Sequence, residues 1–357
     1  MEKRLRVVVL FGGKSVEHEV SLVSAQNIVA ALDSEKYEVA LVGIDKGGVW
    51  HLLGWGDLRE KECSRGGEEV VLIPHPQGGK LYSIAKGEVV FTPDVVFPVL
   101  HGTFGEDGTV QGLLEMVDIP YVGSGVLGSS ICMDKEVTKR LLKEAGLPVV
   151  KFLCLTPQRI PAFDNVVEFL GLPFFVKPAS LGSSVGIAKV KEKKDFEEAV
   201  ERAFSFDTRI LLEECIAGRE IECSVLGNED PVASLPGEIV PRHEFYSYEA
   251  KYLDPRGADL LAPAPLEEEL RQKIQEMAVL AFQVCHCEGM ARVDFFLRGK
   301  EIFVNEVNTI PGFTPISMYP KLWEVSGISY PELVDRLIAL ALERAKKQRS
   351  LKRSYDM

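Results

Sequence analysis

Long apolar runs are missing from this chain of 357 residues. No stretch is long enough to span a bilayer, which takes about 20 consecutive apolar residues. The apolar run at residues 7–11 is too short for the core of a signal peptide and leads directly into Gly12 and Gly13. We therefore expect a cytoplasmic protein that has no membrane partner.

Positive charge is also in deficit. The chain has 41 Lys and Arg against 53 Asp and Glu, which gives a net charge of -12 at pH 7. A surface with this balance repels nucleic acid and anionic membranes, so we expect neither as a partner. A small anionic substrate would need a local group of cations. The basic residues at 346–353 are typical of a solvated helical tail.

Cysteine is sparse and is not arranged as a framework. The seven cysteines are an odd number scattered along the chain, which favours a reducing compartment over a disulfide scaffold. Cys285, His286 and Cys287 lie together, but their spacing does not match the usual zinc patterns. We interpret them as packed residues at the end of a helix.

The chain length and the pattern of strands and helices predict a fold of mixed α/β and α+β class in two or three domains. The chain is too long for one hydrophobic core, and its 46% hydrophobic content is ordinary for a globular protein. A strand at 5–10, a helix near 21–32 and a strand near 39–44 form a β-α-β unit, which implies a parallel sheet. A further buried strand is predicted at 95–100. We assign residues 1–128 to an N-terminal open parallel-sheet domain.

The pattern changes after that point. Residues 129–214 predict a small central α+β domain, in which strands at 174–177 and 187–190 form a hairpin joined by a Gly/Ser loop. Residues 215–357 predict a C-terminal domain. It has a long loop near 246–259 and two neighbouring strands close to its end.

Two glycine-rich segments resemble nucleotide-binding motifs without meeting their requirements. Residues 12–15 read Gly-Gly-Lys-Ser, but a P-loop would need glycine where the chain has Val8. Residues 123–128 match the dinucleotide fingerprint letter for letter. That fingerprint belongs to the first strand–helix turn of a β-α-β unit, and this copy lies at the far end of the first domain. A nicotinamide oxidoreductase is therefore disfavoured, and tight turns explain the glycines.

Four polar side chains interrupt two apolar strands near the C-terminus. Arg292 and Asp294 share one face of the first strand because side chains alternate, and Glu306 and Asn308 share one face of the next. A three-residue connection near Gly299 would bring all four onto one surface, whereas a two-residue connection would separate the pairs. On one surface they offer three oxygen ligands that suit Mg²⁺ and a guanidinium that suits phosphate or an oxyanion. Ordinary solvated strands are the alternative, but the flanking residues are strongly apolar.

Other residues would complete a phosphate site. Lys177 projects from the end of a predicted strand and Lys135 opens the preceding predicted helix, although each alone is most often a surface lysine. The backbone N–H groups of residues 182–186 can fold over phosphates. Residues 211–216 run from a predicted strand into the hinge between domains and would lie along an adenine. Glu220 is placed to accept hydrogen bonds from ribose hydroxyls.

With these features, the sequence resembles the D-alanine–D-alanine ligases of the ATP-grasp superfamily over nearly its whole length. Four segments carry the resemblance, in the family's order. They are Phe-Gly-Gly-Lys-Ser-Val-Glu-His-Glu-Val-Ser at 11–21, His-Gly-Thr-Phe-Gly-Glu-Asp-Gly-Thr at 101–109, Met-Ala-Arg-Val-Asp at 290–294, and Asn-Glu-Val-Asn-Thr-Ile-Pro-Gly at 305–312.

The resemblance implies an ATP-grasp fold and an ATP-dependent ligase. It implies that two D-alanine molecules are joined through a D-alanyl phosphate, with release of ADP and phosphate, for peptidoglycan precursor synthesis. It also implies two magnesium ions, for which manganese can substitute, and a homodimer. A lid would exclude water, because an acyl phosphate otherwise hydrolyses.

The resemblance also assigns roles around the nucleotide. Asp294, Glu306 and Asn308 would hold the metal ions, with Glu306 bridging them. Arg292 and the N–H of Gly312 would stabilise the oxyanion of the tetrahedral intermediate. The remaining nucleotide contacts would be two phosphate-binding lysines and three residues around adenine and ribose, namely Lys135, Lys177, Glu213, Ile216 and Glu220.

Further roles concern the two D-alanine sites. Glu17 would hold the ammonium group of the first D-alanine, and His101 would lie near its carboxylate. Ser317 and Lys251 would meet the carboxylate of the second D-alanine and the phosphate. The closed lid would depend on hydrogen bonds among Glu17, Ser183 and Tyr252.

One departure from the family pattern and two alternative functions stay open. Tyr252 favours D-alanine as nucleophile, because relatives that make D-alanyl-D-lactate lack a tyrosine there, but another ATP-grasp ligase with a different second substrate is the alternative. Glu214 stands where many relatives carry lysine or a neutral residue. A catalytically silent ATP-binding protein is a third possibility, and it predicts nucleotide binding without D-alanine-dependent turnover.

Overall fold

The computed structural model describes residues 3–59, 63, 67–182, 185–242 and 257–352. Within these ranges, no helix is both long enough and apolar enough to cross a membrane. Three sheets organise the described residues, and each is covered by helices.

The first sheet and its helices are built from the N-terminal third of the chain. Their bounds are β1 Leu5–Gly12, α1 His18–Ala31, β2 Tyr37–Ile44, β3 Trp50–Leu53, α2 Trp55–Arg59, β4 Glu68–Ile73, β5 Lys80–Ser83, β6 Glu88–Phe91, β7 Val95–Val99, α3 Thr109–Met116 and α4 Val126–Met133. In the described residues this sheet has seven strands in the order β6-β5-β4-β3-β2-β1-β7.

The first sheet contains the expected parallel strands and also has antiparallel ones. Strand β1 pairs in parallel with β2 on one side and with β7 on the other, as the predicted β-α-β unit requires. The strands from β2 to β6 pair antiparallel. Residues 45–49 alone join β2 to β3, which is too short for the crossover that a parallel pair needs.

The second sheet is small and antiparallel. Its elements are α5 Lys135–Glu144, β8 Phe152–Leu155, α6 Phe163–Leu170, β9 Phe174–Pro178, β10 Ala188–Val190, α7 Lys193–Phe204 and β11 Ile210–Glu214, with strand order β10-β9-β11-β8. The predicted hairpin is confirmed, because β9 pairs antiparallel with β10. One apolar face of α7 is buried on this sheet, and it consists of Phe196, Ala199, Val200 and Ala203.

The third sheet carries the two strands that hold the polar constellation. Its elements are β12 Arg219–Gly227, β13 Val232–Ala233, β14 Gly237–Pro241, β15 Ala258–Leu261, α8 Glu268–Val284, β16 Gly289–Arg298, β17 Glu301–Asn308, α9 Met318–Val325 and α10 Tyr330–Arg349. The strand order is β15-β14-β12-β16-β17, with β13 beside β12. Cys285 and Cys287 are buried just after α8, where packing was expected.

Alternation along β16 and β17 gives the third sheet two different faces. Val293, Phe295, Val304 and Val307 are almost fully buried and pack in one core with residues of α8 and α5. The alternate positions point to the opposite face. The core of the first sheet includes side chains from α10, so the end of the chain packs back onto its beginning. The domain limits at 128 and 214 stay predictions.

Candidate active site

The connection between β16 and β17 is a two-residue turn. Arg298 lies opposite Glu301, which leaves residues 299–300 as the turn, and Gly299 takes a positive φ of 61°. The three-residue connection that the sequence analysis required is therefore wrong. By itself this turn would place the two polar pairs on opposite faces of the sheet.

A β-bulge restores the register. The pairing passes from Phe295 opposite Val304 to Asp294 opposite Glu306, so Asn305 is the extra residue. One extra residue shifts the face of everything that follows it. Beyond the bulge, Arg292 lies opposite Asn308, which confirms the expected grouping.

Three of the four grouped side chains, Arg292, Asp294 and Asn308, are joined by hydrogen bonds and an ion pair. The Arg292 guanidinium donates to both Asp294 oxygens at 2.7 Å and lies 3.1 Å from Glu222 Oε2. Asn308 Nδ2 donates to Asp294 Oδ2 at 3.0 Å. Burial opposes the charge of Arg292, but Asp294 and Glu222 outweigh it and hold the pKa of Arg292 above its usual value. The guanidinium is thus a fixed cation at this surface.

The chemistry of the donor set fits magnesium. Asp294 and Glu306 supply carboxylate oxygens and Asn308 supplies an amide oxygen, and hard cations such as Mg²⁺ prefer oxygen ligands shared with phosphates. In the part of the chain that the structure describes, no group of three or more His, Cys, Asp and Glu side chains is arranged to hold a metal. With only two carboxylates, this site would depend on phosphate oxygens for the rest of its ligands.

A cavity of about 160 Å³ adjoins the face of β16 and β17 on the side of the first sheet. Eight residues from the sequence prediction line it, namely Glu17, His101, Lys135, Arg292, Glu306, Asn308, Gly312 and Ser317. The first sheet delivers two of them, because Glu17 immediately precedes α1 and His101 follows β7. The fold therefore brings these predicted residues together from distant segments of the chain.

Close packing at this cavity explains the glycine in the His-Gly motif. Gly102 has a φ of 75°, and a Cβ there would lie 2.8 Å from Glu17 Oε2 and 2.6 Å from Ser15 Oγ. Any other residue would displace the Glu17 carboxylate. Glu17 itself is almost fully buried, and its backbone N–H donates to Ser15 Oγ at 3.0 Å.

A larger cavity of about 540 Å³ lies between the second and third sheets. The predicted nucleotide contacts line it, together with two of the predicted metal ligands; these residues are Lys135, Lys177, Glu213, Ile216, Glu220, Asp294 and Glu306. Lys135 and Glu306 also line the smaller cavity. The two cavities therefore meet at a lysine and at the carboxylate expected to bridge two metal ions.

Helix α5 places Lys135 at this junction. The side chain of Asp134 caps α5 by accepting from the N–H groups of Glu136 and Val137 at 3.1 Å each. The Lys135 backbone N–H donates to Ala179 O at 3.0 Å, which ties the start of α5 to the end of β9. Burial lowers the pKa of Lys135, and Glu306 acts in the opposite direction.

Glu213 anchors a buried ion cluster, part of which the sequence analysis missed. Its carboxylate lies 2.7 Å from Lys177 Nζ and 3.3 Å from Lys139 Nζ. Lys139 is fully buried. Burial lowers its pKa to about 8, although the Glu213 carboxylate acts to raise it. A signal was present, because Lys139 stands four residues after Lys135 and so shares its helix face.

Replacing Glu213 by glutamine should destabilise the ligand-free protein. The change leaves Lys139 and Lys177 without their carboxylate, and breaking a buried ion pair costs about 3–5 kcal/mol. We expect a melting temperature lower by several degrees, partly restored by ATP, because phosphates would neutralise the lysines. Thermal unfolding with and without ATP measures this. The matched control is Glu214→Gln, one residue on, where a partly exposed carboxylate lies 3.6 Å from Arg298. Equal losses in the two variants would rule out the cluster as the cause.

Glu222 was also missed. It lies opposite Asp294 in the register of β12 and β16, and its carboxylate faces Arg292. Glu220 was singled out, and alternation puts Glu222 on the same face, so the signal was available. Ser183, Lys251 and Tyr252 lie outside the described residues, and their roles stay predictions.

The comparisons with known proteins agree on one family. The family model described as D-ala D-ala ligase N-terminus matches residues 6–124, and that described as D-ala D-ala ligase C-terminus matches residues 141–339. A D-alanine–D-alanine ligase of Oceanobacillus iheyensis is 52% identical over 99% of this chain and 99% of its own length.

Solved structures give the same result. The D-alanine-D-alanine ligase of Coxiella burnetii is 41% identical, with a TM-score of 0.87 over 97% of this chain and 96% of its own. A Bacillus anthracis D-alanine–D-alanine ligase complexed with ATP is 30% identical, with a TM-score of 0.73 over 96% of this chain and 99% of its own. The fold is therefore ATP-grasp, as expected. This chain belongs to the D-alanine–D-alanine ligase family.

Proposed function

We propose that this protein joins two D-alanine molecules into D-alanyl-D-alanine at the expense of ATP, for peptidoglycan precursor synthesis. The observation that carries the proposal is the face of β16 and β17, where Arg292, Asp294, Glu306 and Asn308 meet between two cavities. The larger cavity is the proposed ATP site and the smaller one the proposed D-alanine site. The family assignment supports both.

In the proposed first step, the carboxylate of one D-alanine attacks the terminal phosphorus of ATP, so that D-alanyl phosphate forms as the bond to the leaving ADP breaks. Two anions must approach each other, so the site has to neutralise them. Lys135 supplies a cation at the junction of the cavities, and Lys177 supplies one in the larger cavity, where it pairs with Glu213. Two Mg²⁺ ions held by Asp294, Glu306 and Asn308 would bind the phosphate oxygens and offset their charge.

Glu17 and the smaller cavity orient the first D-alanine. The buried Glu17 carboxylate is an acceptor suited to an ammonium group, and His101 lies in the same cavity wall. Glu213, Ile216 and Glu220 surround the adenosine end of the larger cavity in this proposal. ATP and D-alanine are thereby held with their reacting ends near Glu306.

In the proposed second step, the amine of the second D-alanine attacks the D-alanyl phosphate. The carbonyl oxygen becomes an oxyanion, which Arg292 and the N–H of Gly312 stabilise. Ser317 immediately precedes α9 at the cavity wall, where a helix N-terminus favours the second carboxylate. Phosphate then leaves and the peptide bond remains.

Several parts of the proposal rest on the family resemblance alone. Lid closure by Ser183 and Tyr252 with Glu17, contact of Lys251 with phosphate, a homodimer and a cytoplasmic location belong to it. So do the limits of the three domains at residues 128 and 214.

Phosphate release from ATP, measured with and without D-alanine, tests the function. We expect release to depend on D-alanine and to match the amount of D-alanyl-D-alanine formed. Competition with D-serine and D-lactate tests the second substrate, and we expect D-alanine to dominate the product. ATP binding without D-alanine-dependent release would instead favour the catalytically silent alternative, and a mixed product with D-serine or D-lactate would favour a different ligase.

A further inference from the structure

We propose that Glu106 is a positioning residue that fixes the oxyanion-binding segment, residues 310–312, against the loop after β7. The inference rests on the proposed function, because it is the N–H of Gly312 that the segment would present to the intermediate. Glu106 belongs to the His-Gly motif, but neither the sequence analysis nor the proposed mechanism gives it a role.

The two oxygens of Glu106 join two different parts of the chain. Oε2 accepts from the N–H of Gly102 at 2.6 Å, within its own loop. Oε1 accepts from the N–H of Ile310 at 3.3 Å, 204 residues further along the chain. A carboxylate can accept at both oxygens, whereas an amide offers only one oxygen acceptor. The residue type therefore matches a bridge between two backbone donors.

His101 makes a hydrogen bond to the carbonyl group of Ile310. Its Nδ1 lies 3.0 Å from Ile310 O, and a carbonyl oxygen can only accept, so Nδ1 carries a proton. Burial lowers the pKa of His101 and so favours the neutral ring, although the nearby Glu17 acts in the opposite direction. Glu106 and His101 belong to one loop. Together they make hydrogen bonds to both the N–H and the C=O of Ile310.

Ser24 also holds the backbone on the far side of Gly312, the proposed oxyanion donor. Its hydroxyl lies 3.1 Å from His101 Nε2 and accepts from the N–H of Phe313 at 3.2 Å. In the neutral tautomer, Nε2 accepts from the Ser24 hydroxyl, so every proton in this chain of contacts has an acceptor. Gly312 therefore lies between two held residues, Ile310 and Phe313.

The burial of an ionisable side chain at position 106 indicates a purpose beyond packing. Burial and the nearby Glu17 carboxylate raise the pKa of Glu106 to about 8, whereas the N–H groups of Gly102 and Ile310 favour its ionised form. Burying an ionisable group here costs stability, and in either protonation state its oxygens keep the capacity to accept from the two N–H groups. Residues 310–312 line the smaller cavity beside Arg292. An oxyanion donor must lie within about 2.7–3.1 Å of the developing charge, so a small displacement of this segment weakens it.

Glu106→Leu and Glu106→Gln test the proposal, with Asp107→Asn as the matched control. Asp107 is the next residue, and its carboxylate accepts from Phe104 N at 2.8 Å and Thr109 N at 3.0 Å, all within its own loop. A misplaced donor can cost about 100-fold in rate, so we expect kcat to fall about 100-fold in the leucine variant. The glutamine variant keeps one acceptor and should recover part of that loss, with KM for ATP nearly unchanged in both.

The control separates positioning from loop stability. We expect Asp107→Asn to lower the melting temperature without lowering kcat below that temperature. A merely structural Glu106 would give the same pattern as Asp107→Asn, and that outcome would overturn the proposal. If the leucine variant fails to fold, the glutamine variant against the control still decides the question.

Hydrogen exchange makes the proposal testable without catalysis. We expect the Ile310 amide to exchange faster in Glu106→Gln than in wild type, and unchanged in Asp107→Asn. If wild type forms no D-alanyl-D-alanine but the exchange difference is present, the proposed function fails and the bridge stands. If wild type is an active ligase and neither kcat nor exchange responds to Glu106→Gln, the inference about Glu106 fails alone.

Discussion

Replacing Glu306 by glutamine should lower kcat by about a thousandfold or more while the protein stays folded. In the proposed site Glu306 would hold cations together with Asp294 and Asn308, and an amide, with a single oxygen acceptor and no charge, would hold them poorly. Metal ions contribute several kcal/mol of charge stabilisation in phosphoryl transfer, and each 1.4 kcal/mol is about tenfold in rate. D-alanine-dependent phosphate release at saturating ATP and Mg²⁺ measures the loss.

The matched control for this change is Glu301→Gln. Glu301 lies at the other end of β17, is exposed, and pairs with Arg298 at 2.9 Å. We expect nearly wild-type turnover from it, because surface ion pairs contribute little. Near-normal turnover of Glu306→Gln, together with a native melting curve, would refute the metal assignment.

Replacing Arg292 by lysine should lower kcat about 100- to 1000-fold, the range seen when one oxyanion donor is removed. Lysine keeps a positive charge between Asp294 and Glu222, so the buried carboxylates retain a counter-ion. It loses the planar fork that binds both Asp294 oxygens at once. Steady-state kinetics should show the loss in kcat, with KM for ATP changed much less.

The control for the arginine is Arg336→Lys. Arg336 lies on α10, far along the chain, and pairs on the surface with Glu332 at 2.7 Å. Wild-type kinetics are expected there. A kcat for Arg292→Lys within a few-fold of wild type would show that a point charge suffices, and the oxyanion role of the guanidinium would be lost.

The strand pattern predicted the parts of the fold with clear periodicity. The β-α-β unit at the start of the chain and the final pair of strands follow directly from buried apolar runs. The mixed character of the first sheet did not follow, because β3 and β5 are only four residues long and half-buried. Such short strands carry little periodicity, and only the length of their connections reveals that they pair antiparallel.

The grouping at the site was predictable, but its cause was not. Alternation correctly paired Arg292 with Asp294 and Glu306 with Asn308. The sequence analysis then required a three-residue turn, whereas the structure has a two-residue turn and a bulge at Asn305. A bulge changes no residue type, so alternation and loop length cannot reveal it.

Residues that act through other residues were the hardest to find. Lys139 and Glu222 each share a face with a residue already singled out, so alternation or helix spacing would have identified them. Glu106 had no such signal, because its partner at Ile310 comes from the other end of the chain. Contacts between distant loops depend on how the sheets are assembled.

A crystal structure with Mn²⁺ and a non-hydrolysable ATP analogue tests the central claim most directly. The account predicts anomalous peaks between the triphosphate and the oxygens of Asp294, Glu306 and Asn308, with Arg292 beside them. Metal density elsewhere, or those four side chains facing different surfaces around the bound nucleotide, would contradict it.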